Sequence, residues 1–157
     1  MAIIGAKKAY EDIWLEDPAT NPDTPHWRIP MDDKSIDALM RKVGNAIDRA
    51  HALSQQEAGA LTEDEATEAR EQIVRLQKRV IVAFLGVEGY DEILRWLSSD
   101  DNPVDPKDHI IAIGDVFAAL LLVLEDRATS KRLRKAGEIL EREADKARKR
   151  PRKKGRR

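Results

Sequence analysis

The chain has 157 residues, of which 36% are charged and 4% aromatic, and it contains no cysteine. A single domain of this length can bury a sizeable core; disulfides and cysteine-based zinc sites are excluded, and the composition suits amphipathic helices better than a β-sandwich. The net charge of −1 conceals an asymmetry, because residues 146–157 hold nine Lys or Arg and no acid, which leaves 19 basic against 29 acidic residues, or −10, for residues 1–145.

Taken in order, Ala6 to Glu16 reads as a short helix with Tyr10, Ile13 and Trp14 on one face. Asp17 to Pro25 holds three prolines and is a loop, since proline removes backbone donors and biases its predecessor toward extended conformations. His26-Trp27-Arg28-Ile29-Pro30 alternates apolar and polar residues and is the one strand candidate. Ile36, Leu39, Met40, Val43, Ile47 and Ala50 then follow helical spacing, with Asp33 or Ser35 to cap the start and Ser54 to Leu61 breaking the pattern. Thr62-Glu63-Asp64-Glu65 is a capping box. It opens a helix through Ile73, Leu76, Val80 and Phe84 that stops near Gly86, a residue able to take the backbone conformation of a helix end. Tyr90, Ile93, Leu94 and Leu97 mark a shorter helix, with Trp96 beside them.

After the polar turn Ser98 to Pro103, Asp105-Pro106 supplies a cap and a first-turn proline. The helix that follows, 106–126, is apolar in nearly every direction and is expected to be central or to contact another chain. Its longest apolar stretch, Ile110 to Leu124, has 15 residues and contains Gly114 and Asp115, too short and interrupted for a membrane span of about 20. A last helix, about Ser130 to Arg148, has Leu133, Ile139, Leu140 and Ala144 on a narrow stripe. It frays into a basic tail made by Lys146, Arg148, Lys149, Arg150, Arg152, Lys153, Lys154, Arg156 and Arg157. A like-charge run of this density is expected to be disordered. The N-terminus has no basic stretch leading into an apolar segment, so no secretory leader is expected and a cytoplasmic location is.

The expected fold is therefore all-α: a small bundle of about five helices, with an extended Pro-rich N-terminal segment and a disordered basic tail. The boundaries fall at an N-terminal arm, 1–31, a helical domain, 32–145, and the tail, 146–157.

Reactive chemistry finds little support. His26, His51 and His109 lie in three segments without metal-ligand spacing. Asp100-Asp101-Asn102 and Asp105 lack the Gly and terminal Glu of a calcium loop. Gly86-Val87-Glu88-Gly89 lacks the Gly-Lys-Ser/Thr ending of a phosphate loop. Neither catalysis nor a cofactor is expected, and an enzyme working through scattered carboxylates ranks last. Binding is the better class. The apolar helix 106–126, with Phe84, Trp96, Phe117 and Leu121, forms a candidate groove for an amphipathic helix, or the core of a homo-oligomer. The basic tail could hold phosphates non-specifically, and with no aromatic among its charges base stacking is not indicated.

The order of parts over residues 25–126 resembles the tail assembly chaperones of long-tailed, siphovirus-type bacteriophages. The resemblance rests on Trp27-Arg28-Ile29-Pro30-Met31 before an amphipathic helix and on Phe84-Leu85-Gly86-Val87-Glu88-Gly89-Tyr90-Asp91-Glu92-Ile93-Leu94. An acidic Pro-containing turn and a helix ending Phe117-Ala118-Ala119-Leu120-Leu121-Leu122-Val123-Leu124 complete it. The family implies a small cytoplasmic helical protein that coats the tape measure protein, keeps it soluble and recruits tail tube subunits. Many members also have a longer form made by ribosomal frameshifting, with which Arg152-Lys153-Lys154-Gly155 is compatible. The strongly basic end departs from the acidic texture of the family. The alternative is a non-specific nucleic-acid-binding accessory protein acting through residues 146–157.

Overall fold

The computed structural model describes residues 1–60 and 62–149, apart from the side chains of Ile47 and residues 130–137. Its elements are strands β1 (Tyr10–Trp14) and β2 (His26–Pro30), helices α1 (Asp33–Val43), α2 (Ala46–Ala58) and α3 (Glu63–Trp96), a 3-10 turn (Pro106–Asp108) and helix α4 (Ile110–Lys149). The chain is mostly helical, but it is not all-α, and among the described residues it has four α-helices rather than five.

The N-terminal segment is the first correction. Tyr10–Trp14 is a strand, paired antiparallel with His26–Pro30 so that Asp12 opposes Arg28 and Ile13 opposes Trp27. A strand needs a partner to satisfy its amides, and that partner lies across an 11-residue Pro-rich loop that local spacing does not reveal. The loop is tied at its neck, where the Leu15 amide donates to the Pro25 carbonyl at 3.0 Å and the Glu16 amide to the buried Thr24 hydroxyl at 2.9 Å. Nor is the arm separate from the helices: Ile29 and Met31 sit in the common core.

Helix boundaries shift for local reasons. The stripe expected to run from Ile36 through Ala50 is divided at Gly44-Asn45, and α2 continues to Ala58, through the region expected to break the pattern. At Gly44 a side chain would meet the Met40 carbonyl oxygen at 2.7 Å, so the close approach that ends α1 needs glycine. The cap of α1 is Asp32, rather than the expected Asp33 or Ser35. The Thr62 half of the capping box forms, with the Glu65 amide donating to the Thr62 hydroxyl at 3.1 Å.

Gly86 is non-helical, with φ 77° and ψ 171°, but the chain re-enters the helix at once. The two helices expected there are thus one element with a sharp break. Gly89 is needed beside the break: a Cβ there would meet the Leu85 Cβ at 2.6 Å and the Trp27 indole nitrogen at 3.3 Å, so the missing side chain lets the two segments of α3 approach and β2 close onto them.

The two expected C-terminal helices are likewise one, because nothing between Glu125 and Lys131 supplies a stop signal. Residues 146–149, expected to fray, belong to this helix. The rest of the tail lies outside the described residues, and with it Arg150, Arg152, Lys153, Lys154, Arg156 and Arg157.

The core gathers where α1, α3 and α4 meet, around Ile36, Val80, Ile81, Ile93, Ile113 and Leu120, each 1% exposed or less. Helix α2 packs along α3, and the hairpin closes the other end of the core through β2. Gln77 links α3 to the start of α4, donating to the Ile110 carbonyl at 3.1 Å.

Candidate functional site

The hairpin creates the feature that sequence spacing concealed. In β2, Trp27 and Ile29 turn inward while His26, Arg28 and Pro30 face out. Ile13 is the inward partner on β1. The outer face is knitted by cross-strand pairs of the kind that stabilise small sheets. Arg28 makes a two-pronged ion pair with Asp12, at 2.9 and 3.2 Å, and lies 3.8 Å over the Tyr10 ring. Trp14 stacks on His26 at 4.4 Å. The hydrogen bond from Arg28 holds the Asp12 carboxyl below the usual carboxylate range.

Arg127 of α4 locks the arm in place. Its guanidinium, buried at 8% exposure, donates to the carbonyls of Lys8 at 2.7 Å and Tyr10 at 3.0 Å and pairs with Glu11 at 2.5 Å. A planar fork with several donors suits such a cluster of acceptors. Beside it Lys7 pairs with Asp126, whose carboxyl the lysine holds below its ordinary range.

Held this way, the hairpin, α3 and α4 enclose a surface cleft of about 410 Å³. Ile13, Leu15 and Trp27 form one wall; Leu85, Val116 and Val123 form the other. Two charged residues join the lining, Asp12 and Asp115, and both are acids. Ala119 is an exposed residue at the same cleft, and on the adjoining face of α4 Ala118 and Leu122 are exposed, Leu122 at 65%. The apolar wrap of α4 is therefore only partly covered by its own chain.

Comparison with models of protein families, with curated proteins and with solved structures finds no match.

Of the expected groove residues, Phe84, Phe117 and Leu121 are core side chains, 8%, 7% and 6% exposed, and they do not open onto a groove. Trp96, at 39%, is the one left at the surface. Sequence spacing correctly marked the first three as apolar faces, but burial placed them inside. The cleft is not legible in the sequence because one of its walls comes from the hairpin, whose first strand reads as a helix. Lys146, Arg148 and Lys149 are exposed on the last turns of α4; Lys146 faces Glu143 at 3.8 Å and Arg148 faces Asp145 at 3.2 Å.

The three histidines stay apart. His26 stacks on Trp14, His51 contacts Gln55 at 3.0 Å, and His109 contacts the Asp105 carbonyl at 3.1 Å. Among the described residues no group of three His, Asp or Glu is placed to hold a metal, and no helix is long and apolar enough to cross a membrane. The chemistry on offer at the cleft is apolar contact with an acidic margin.

Proposed function

We propose that this protein binds helical clients and acts as a phage tail assembly chaperone in the host cytoplasm, working by contact rather than catalysis. In this reading it holds the tape measure protein soluble and recruits tail tube subunits. The observation that carries the reading is the apolar cleft between the hairpin and α4, with Asp115 in its lining and Leu122 exposed beside it. An amphipathic helix with aliphatic residues three and four apart matches such a groove, and a Lys or Arg at its flank would meet Asp115.

Nucleic acid gripped by residues 146–157 has weaker footing, since Lys146 and Arg148 already face acids of their own helix. Co-expression with the tape measure protein tests the proposal. Soluble recovery of that protein should rise with the wild-type chain and fall back with Ala119→Glu, a change at an exposed position of the cleft that spares the core. Tape measure solubility that ignores co-expression would discard the reading.

A further inference from the structure

Away from the hairpin, one surface runs against the charge of the body. The turn between α1 and α2 lies against the middle of α3 and encloses a cleft of about 630 Å³. Five cations line it: Arg41 and Lys42 from the end of α1, Arg49 from the start of α2, and Arg75 and Arg79 from α3. No Asp or Glu belongs to that lining among the described residues, although residues 1–145 carry a net −10.

This arrangement opposes the fold's own electrostatics. Arg75 and Arg79 are four residues apart on one helix, where like charges repel. Arg49 sits near the positive end of the α2 dipole, which disfavours a cation. Arg75 has Glu71 at 3.7 Å, and the Arg41 side chain donates to the Asp37 carbonyl at 3.3 Å. Lys42, Arg49 and Arg79, by contrast, make no ion pair among the described residues. At the same turn Asn45, the N-cap residue of α2, makes no side-chain capping bond, so the first amides of that helix lack a side-chain acceptor there. Converging guanidinium forks and open helix amides both take anionic oxygens. The volume is within the range of small-molecule sites.

We propose that this cleft binds phosphate groups presented in series, either the triphosphate of a nucleotide or the backbone of a nucleic acid. Phosphates in series are favoured over a single carboxylate because five cations with no acid in the lining call for several closely spaced negative charges, and each arginine fork can pair with phosphate oxygens. The site is distinct from the basic tail and does not depend on the client-binding reading.

Full-length protein is titrated at low salt against a labelled single-stranded oligonucleotide and, separately, a labelled nucleoside triphosphate. At least one probe should bind, and which one does identifies the source of the phosphates. Arg49→Gln/Arg79→Gln should weaken that binding about tenfold or more, a larger loss than Lys153→Gln/Lys154→Gln causes. For the oligonucleotide, two lost phosphate contacts should also flatten the salt dependence of log K by roughly 1.4. The arginine variant should melt no lower than wild type, because a like-charge repulsion has been relieved. Failure of both probes to bind would overturn the proposal. So would binding lost only in the tail variant, equal displacement by polyglutamate, or a marked drop in melting temperature on removing the two arginines.

Discussion

Tyr90 is 2% exposed, and its buried hydroxyl has no hydrogen-bond partner among the described residues. An orphaned buried polar group costs stability that an isosteric apolar group does not. Tyr90→Phe is therefore expected to keep the packing and raise stability by up to about 1 kcal/mol, read by urea denaturation. Burial, aided by the Asp91 charge, pushes the phenol above its ordinary range. A raised folded value means the neutral form is favoured: the contribution is complete below the ordinary tyrosine range and lost as pH climbs through the raised one. The Phe variant should lose less stability at alkaline pH than wild type, and identical alkaline limbs would contradict the assignment. Residue-level signals were otherwise read well where they are local. The Thr62 cap forms, whereas Asp105 caps only the 3-10 turn Pro106–Asp108, its carboxylate accepting from the Lys107 amide at 3.0 Å, and the long helix expected from 106 begins at Ile110. Caps act within one turn, so neighbouring residues suffice to specify them.

At the scale of elements, glycine spacing carries the most information and was the easiest to misread. Gly86 does take a backbone conformation that residues with a side chain avoid, and the helix stops there as expected, although a second helical segment starts at once. Gly86→Ala should cost about 1–3 kcal/mol, the range for holding such a residue in that region, measured by thermal or urea unfolding. An alanine variant as stable as wild type would mean that the break relaxes into continuous helix. The division at Gly44-Asn45 escaped notice because Ile36, Leu39, Met40, Val43, Ile47 and Ala50 keep their period straight across it. Periodicity reports which side is apolar, not whether the axis is continuous. The Tyr10–Trp14 strand was missed for a different reason: five residues with apolar positions at 10, 13 and 14 fit a helical face as well as an extended one.

Over the whole molecule, α4 is the dominant element. Its 40 residues make a rod of roughly 60 Å. The first half is held by the core and by Arg127; every described side chain from Glu138 to Lys149 is exposed, including Ile139 at 57% and Leu140 at 70%. The two halves should respond differently to substitution. Phe117→Ala, a cavity in the core, is expected to cost about 3–5 kcal/mol. Leu140→Glu should stay within about 0.5 kcal/mol of wild type. Urea melts at two protein concentrations check both. A large, concentration-dependent loss in the Leu140 variant would place another copy against that end of the helix.

Composition and period alone determined that this chain is mostly helical, that Phe84, Phe117 and Leu121 lie on apolar faces, and that Thr62 caps α3, because these properties are set within a turn or two of chain. Contacts between distant segments decided the hairpin, the cleft beneath it and the gathering of Arg41, Lys42, Arg49, Arg75 and Arg79 around one turn. A strand finds its partner, and a cation its neighbours, only once residues far apart in sequence have been packed together.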